Sequence, residues 1–201
     1  MAAGSGSYVA PAVGSTSAPL TGPVIVVVGD ESVTQAAGGV TAAERWPALV
    51  GAALRSPVDI VPAVDAGYAT SGAEDITFVS AASSVASDAD VILIVGGTHD
   101  SRVSAATLSQ SAADAMTAAA QQAPGASVAL VGPIVTGGLS KTQLFGVRST
   151  IAAAARGAGV RWVDPASGWL PVQPATPAGL STADEKLIAV KIEALVRRMT
   201  A

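Results

Sequence analysis

The stretch that decides the fold is VIVVVGDES, residues 24–32, where five aliphatic residues are followed at once by a glycine and three polar side chains. A β-branched run without polar alternation is typical of a strand covered on both faces, as in a parallel sheet. Similar short runs recur along the chain. With the first run, they predict five strands, at 24–28, 58–64, 91–95, 127–131 and 160–163.

Helical patterns alternate with these strands. They predict helices at 41–55, 102–122, 141–156 and 182–199, with a further short helix near 81–86. Thr41 and Ser140 are suitable N-cap residues for two of them. Strand–helix alternation gives right-handed βαβ units. The predicted fold is therefore α/β, a three-layer α/β/α sandwich around a five-stranded parallel sheet in the flavodoxin-like order 2-1-3-4-5.

Composition limits the classes of protein that the chain can belong to. The 201 residues fit one domain, and the absence of cysteine excludes disulfides, thiolate nucleophiles and zinc–thiolate sites. A net charge of −4, with no basic run beyond Arg197 and Arg198, argues against a nucleic-acid partner. No apolar stretch reaches the roughly 18–20 residues that a membrane span needs. The sequence leaves the oligomeric state open.

The first 22 residues differ in composition from the rest. They are small, uncharged and rich in Gly, Ser, Ala and Pro, which is typical of a flexible linker. We therefore expect a linker at 1–22 and one domain at 23–201. The linker lacks the charged and apolar regions of a signal peptide, but it looks like the segment that remains after a signal or anchor has been removed. We expect a secreted or cell-envelope protein, with a cytoplasmic location as the alternative.

Four blocks of residues follow the predicted strands or precede the last helix. The first three are Gly29-Asp30-Glu31-Ser32, the segment 62–67 (PAVDAG), and Gly96-Gly97-Thr98-His99-Asp100; the fourth is 176–185 (TPAGLSTADE). In their order, spacing and strand context, these blocks resemble those of the SGNH (GDSL-type) hydrolases, over residues 23–200. Ligands of such sheets bind outside the carboxyl ends of the strands, where the first three blocks are expected to meet.

The resemblance implies a site residue by residue, and it is broken at the catalytic positions. Five residues match the family pattern: Gly29, Asp30, Gly67, Gly97 and Asp100. The nucleophilic serine is replaced by Glu31, the oxyanion-hole asparagine by His99, and the final Asp and His by Thr176 and Gly179. The resemblance also implies that the backbone N–H groups of Glu31 and Gly67 survive as oxyanion donors.

The missing groups matter because a serine hydroxyl needs an adjacent base, usually an imidazole held by a carboxylate. His99 is the only histidine, and the chain contains no asparagine. We therefore expect a non-catalytic or catalytically altered domain that binds a glycan, acyl or protein partner in the former active-site cleft. One alternative is an esterase or acyltransferase that uses Ser32 and His99, oriented by Asp30, Asp100 or Glu31. Another alternative is a structural module of a larger assembly.

Charged groups of the cleft allow two interpretations. Glu31, His99, Asp30 and Asp100 include the ligand types of zinc or manganese. An ion pair between Glu31 and His99 satisfies the same charges with no cation, so we expect that pair and neither a metal nor a cofactor. The expected cleft residues are Gly29, Asp30, Glu31, Gly67, Gly97, Thr98, His99 and, from the proline-rich segment before the last helix, Trp169.

Overall fold

The computed structural model describes residues 19–35, 39–135, 137–170 and 179–201. Five strands form one sheet in which every pairing is parallel and the order is β2-β1-β3-β4-β5. The predicted fold class, strand number and strand order are confirmed. The strands are β1 Ile25–Gly29, β2 Val58–Pro62, β3 Val91–Val95, β4 Ser127–Val131 and β5 Arg161–Val163.

Six α-helices flank the sheet in the described ranges. They are α1 Glu31–Thr34, α2 Trp46–Leu54, α3 Phe78–Ala82, α4 Ala105–Gln122, α5 Lys141–Gly157 and α6 Thr182–Met199. Two long helices begin where an N-cap side chain binds a backbone N–H, at Ser140 for α5 and Ser181 for α6. The prediction of Ser140 as an N-cap is confirmed.

Three predicted helices begin elsewhere. The helix expected at 41–55 is divided into a 3-10 turn, Ala42–Glu44, and α2, in which Pro47 occupies the first turn, where its missing N–H costs nothing. The helix expected at 102–122 begins three residues later, because the Ser104 side chain caps α4. The short helix expected near 81–86 lies earlier, because Thr77 caps α3.

Side chains of the sheet alternate between two hydrophobic layers. Val26, Val28 and their neighbours on β3 pack with α3, α4 and α5. Ile25 and Val27 face the other way and pack with α2 and α6. Both faces of β1 and β3 are therefore fully buried, which explains why these strands read as unbroken aliphatic runs.

The register of the strands brings the predicted site together. Gly29, Val95 and Val131 lie side by side at the ends of β1, β3 and β4. The loops that follow them therefore leave the sheet at one edge. Across the described segments, none of the helices is both long enough and apolar enough to cross a membrane.

Candidate functional site

A cavity of about 600 Å³ opens at the carboxyl edge of the sheet. Its walls come from the loops after β1, β3 and β4, with Thr70 contributed by the segment after β2. Asp30, Glu31, Thr98 and His99 are among its lining residues. The convergence of the blocks that follow β1 and β3 was predicted, and it is confirmed.

Glu31 and His99 form an ion pair inside this cavity. His99 Nε2 lies 2.8 Å from Glu31 Oε1, and the side chains are 27% and 17% exposed, respectively. The other carboxylate oxygen, Oε2, accepts a hydrogen bond from the backbone N–H of Asp65 at 3.2 Å. The predicted pairing of Glu31 with His99 is confirmed.

The pair favours the charged form of both partners. Burial tends to raise the pKa of Glu31, but hydrogen bonds from His99 and from the backbone N–H groups of Glu31 and Asp65 outweigh it, so the pKa lies below its usual range. The hydrogen bond to Glu31 raises the pKa of His99 against the opposing effect of burial, and the negative charges of Glu31, Asp30 and Asp65 add to the rise. The carboxylate therefore takes up donors that could otherwise bind a ligand oxyanion.

Ser32 lines the cavity together with His99, but its polar groups bond to Asp30. Its N–H and its hydroxyl both donate to Asp30 Oδ1, at 2.9 and 2.6 Å, and the residue is only 2% exposed. Among the described residues no hydrogen bond joins Ser32 to His99, so the alternative in which the two act together has no contact to support it and stays a prediction. Burial raises the pKa of Asp30 to about 6, although the hydrogen bond from Ser32 opposes this shift.

Asp100 has a structural role. Its Oδ2 accepts from the N–H of Tyr68 at 2.7 Å, and its Oδ1 accepts from the N–H groups of Ala69 and Thr70 and from the Thr70 hydroxyl, each at 3.0 Å. The residue is 1% exposed. The segment 68–70 occupies both carboxylate oxygens, which gives no support to Asp100 as a catalytic candidate, and Asp100 is not in the group of possible metal ligands found among the described residues.

The backbone N–H of Gly67 does not serve as the free oxyanion donor that the resemblance implied. This N–H donates to the carbonyl of Thr70 at 2.9 Å, so this donor is already engaged and does not face a ligand. A Cβ at this position would lie 2.3 Å from the Asp100 carboxylate. The absence of a side chain at Gly67 thus lets Asp100 approach the loop that it binds.

Glycines at the ends of the strands allow the loops to approach each other. Gly96 and Gly97 have φ values of 132° and 115°, in the region that favours glycine, and a Cβ on Gly96 would lie 2.3 Å from Asp30 Oδ2. Gly29 is buried and its carbonyl accepts from the N–H of Ala63. Gly29 and Gly97 shape the site through the backbone and are not among the residues that line the cavity.

The loop after β4 also contributes to the site, which the sequence did not predict. Val135, Gly137 and Leu139 line the cavity, and the Thr98 hydroxyl donates to the carbonyl of Val135 at 2.8 Å. The glycine-rich composition of 132–139 is the signal that could have indicated a loop at this edge.

The last block contributes less than expected. Trp169 packs against the hydrophobic layer of α2 and α6 and is not among the residues that line the cavity, so its prediction as a cleft residue is wrong. Gly179 is exposed, just before the buried Leu180 and the N-cap of α6. Thr176 lies outside the described residues.

Asp65 joins the ion pair to form one group of possible ligand atoms. Carboxylate oxygens of Glu31 and Asp65 and a ring nitrogen of His99 lie within 4.8 Å of one another. The group considered from the sequence had Asp30 and Asp100 in place of Asp65. In the structure, Asp30 accepts hydrogen bonds from Ser32, and Asp100 accepts them from the segment 68–70. The Glu31–His99 pair supplies the counter-charge, so we assign no metal ligand, and the absence of a metal stays a prediction.

Comparisons with known proteins identify the fold. No protein-family model and no curated protein matches the chain. A family two carbohydrate esterase from Clostridium thermocellum, in complex with cellohexaose, matches with a TM-score of 0.66 at 13% identity, over 88% of this chain and 64% of that one. A GDSL-like lipase from Bacteroides ovatus matches with a TM-score of 0.66 at 11% identity, over 89% of this chain and 99% of that one.

An inhibitor-bound aryl esterase of M. smegmatis matches with a TM-score of 0.67 at 14% identity, over 88% of this chain and 99% of that one. At such low identities, these similarities establish architecture and carry no activity with them. The chain has the SGNH hydrolase fold, as its sequence blocks predicted.

Proposed function

We propose that this chain is a non-catalytic or catalytically altered SGNH hydrolase-like domain that binds a glycan, acyl or protein partner through the cavity at the sheet edge. The observation that carries the proposal is the Glu31–His99 pair, which stands where the family resemblance expects a nucleophile and an oxyanion donor. We favour a glycan among these partners.

Electrostatics supports the loss of ester hydrolysis. Acyl transfer from an ester builds negative charge on the carbonyl oxygen, and hydrogen-bond donors must stabilise it. Here Glu31 brings a carboxylate into that region and accepts from His99 and from the N–H of Asp65. The Ser32 hydroxyl donates to Asp30 and makes no described hydrogen bond to His99, the one imidazole of the sequence.

The chemistry of the cavity supports a sugar ligand. Its volume of about 600 Å³ falls in the range of small-molecule sites. Thr70, Thr98, Ser101 and the exposed Arg102 line it beside the ion pair. The Thr70 and Thr98 hydroxyls donate within the protein and offer lone pairs as acceptors, while Arg102 offers donors. Such donors and acceptors suit the hydroxyls of a saccharide, and a carbohydrate esterase of the same fold has been solved with cellohexaose.

Binding can be tested by titrating the ¹⁵N-labelled protein with cellohexaose, xylohexaose and chitohexaose while recording amide spectra. We expect at least one saccharide to shift the amides of residues 98–102, with weaker binding in Arg102→Gln. Arg198→Gln is the matched control, because Arg198 is an exposed arginine near the end of α6, outside the cavity lining. Shifts spread over the surface, or equal losses of affinity in both variants, would contradict a glycan site here.

Activity needs a separate assay with nitrophenyl acetate and acetylated xylo-oligosaccharides. We expect turnover at background, because Ser32 is buried and no second imidazole exists in the sequence. Turnover that persists through purification and is lost in Ser32→Ala and in His99→Ala would overturn the proposal and favour the rearranged hydrolase.

We also propose export to the cell envelope or the medium, on the basis of the linker-like composition of residues 1–22. Fractionation of the native host with an antibody against residues 23–201 tests this. We expect the signal in the envelope or medium fractions. A signal confined to the cytoplasm, alongside a cytoplasmic marker, would contradict export.

A further inference from the structure

Two consecutive residues behind the site donate to three consecutive carbonyls of helix α1. Trp46 Nε1 donates to the carbonyl of Ser32 at 3.2 Å. Arg45 Nη1 donates to the carbonyl of Thr34 at 2.7 Å, and Arg45 Nη2 donates to the carbonyl of Val33. These bonds bring the start of α2 against the last three residues of α1.

Helix α1 depends on such partners. It has four residues, Glu31–Thr34, which is a single turn, and the carbonyls at its end have few intrahelical donors. A single turn has little stability of its own, because nucleation is the costly step of helix formation. Glu31 is the first residue of this turn, so bonds that fix the turn also fix the position of the Glu31 backbone.

The same arrangement reaches helix α6 through a buried carboxylate. Glu185 Oε2 accepts from the backbone N–H of Trp46 at 2.8 Å, and Glu185 is 0% exposed. Glu185 lies in the first turn of α6, six residues after Gly179 in the block that resembles the family's last motif. Burial raises the pKa of Glu185, and the positive charge of Arg45 opposes part of that rise.

Two buried atoms of this arrangement have no hydrogen-bond partner among the described residues, Arg45 Nε and Glu185 Oε1. Unpaired buried polar atoms are costly, so these two atoms lower the stability of the fold. Stability alone is therefore a poor reason for Arg45 and Glu185 to be at these positions. A requirement for directed hydrogen bonds, from Arg45 to α1 and from the Trp46 N–H to Glu185, accounts for them better.

We propose that Arg45, Trp46 and Glu185 form a positioning relay, which holds α1 so that the Glu31 carboxylate meets His99 and which ties that turn to the start of α6. None of the three is among the residues that line the cavity, so the relay acts through Glu31 and not on a ligand directly. It is a second layer of the site that the sequence blocks did not indicate.

The test uses the pKa of His99, measured by NMR titration of the single histidine, in Arg45→Met. Loss of the Arg45 positive charge by itself would raise the pKa of His99 or leave it unchanged. Loss of α1 positioning weakens the hydrogen bond to Glu31 and lowers the pKa toward the reference of about 6.5. The two effects change the His99 pKa in opposite directions. A fall in this pKa therefore shows that α1 has moved, and it cannot be caused by the lost charge of Arg45.

Arg55→Met is the matched control, because Arg55 also donates to a backbone carbonyl, that of Pro19, but has no contact with α1 among the described hydrogen bonds. We expect the His99 pKa of this control to equal that of the unaltered protein. Arg45→Lys keeps the charge but cannot donate to both carbonyls in the same way, so we expect an intermediate pKa.

Two outcomes overturn the relay: a His99 pKa in Arg45→Met that matches the unaltered protein, or an equal fall in Arg55→Met. If Arg45→Met does not fold, Arg45→Lys decides alone, and an unaltered His99 pKa there overturns the relay. The measurement involves no ligand, so its failure and the failure of the proposed function are distinguishable.

Discussion

Replacing Asp100 by alanine tests whether this residue organises the site or belongs to its chemistry. The side chain accepts four hydrogen bonds, three from the backbone N–H groups of residues 68–70 and one from the Thr70 hydroxyl. Asp100→Ala removes every one of these acceptors at once. The N–H of Tyr68, which is buried, then has no partner.

The size of the effect can be worked out from these contacts. A hydrogen bond to a charged group contributes about 1.5–3 kcal/mol, and an orphaned buried donor costs about 1–3 kcal/mol. The N–H groups of Ala69 and Thr70 are only partly buried, so water can replace part of their loss. We therefore expect the free energy of unfolding to fall by about 3–5 kcal/mol, within the range for breaking a buried charged network.

Urea unfolding followed by circular dichroism measures this change, and the melting temperature should fall by roughly 10 °C. Asp100→Asn should lose less of the free energy of unfolding than Asp100→Ala, because the amide keeps one acceptor oxygen. Asp88→Ala is the control at an exposed aspartate, with an expected change within about 0.5 kcal/mol. If Asp100→Ala loses less than about 1 kcal/mol, the structural interpretation of Asp100 is refuted.

Two further predictions concern Asp30 and the N-terminal segment. The folded-state pKa of Asp30, about 6, lies above its usual 3.8 because the group is buried. The free energy of unfolding, measured relative to that of Asp30→Asn, should therefore fall by up to about 3 kcal/mol as pH rises from about 4 through 6. A difference in urea midpoints between the two proteins that does not change with pH would contradict this. Deleting residues 1–21 should change the melting temperature by no more than about 4 °C, because their composition cannot bury much apolar surface. A fall beyond about 10 °C by calorimetry would show that they stabilise the fold.

Much of the fold could be predicted from the sequence because burial dictates it. Strands β1 and β3 have to be aliphatic throughout, since helices cover both of their faces. Four of the six helices, α2, α4, α5 and α6, were predicted from their patterns, with differences mainly at the ends. The meeting of the loops after β1 and β3 follows from parallel order alone, which is why the pairing of Glu31 with His99 could be predicted.

The directions of individual side chains could not be predicted in the same way. Ser32 is buried against Asp30 because Asp30 caps the turn of α1, and this depends on local backbone geometry. Asp65 joins the ion pair from a left-handed conformation with φ of 56°. No hydrophobic pattern indicates a relay from Arg45 to Glu185, because those residues are distant in sequence and meet only after α2 packs on α6.

The central claim is that Glu31 and His99 pair as ions in the site, and its pH dependence follows from the two shifts. The His99 pKa is raised above 6.5, so its contribution to stability is complete below 6.5 and is lost as pH rises through the folded-state pKa. The Glu31 pKa is lowered from 4.5, so its contribution is complete above 4.5 and is lost as pH falls through the folded-state pKa. The pair should therefore stabilise the protein most between 4.5 and 6.5.

NMR titration of His99, in the unaltered protein and in Glu31→Gln, tests this claim most directly because the chain has one histidine. We predict a His99 pKa above the reference of about 6.5 that falls in Glu31→Gln, since the amide keeps the shape of the side chain and removes its charge. A His99 pKa at or below the reference value, unchanged by Glu31→Gln, would contradict the ion pair and the account of the site that depends on it.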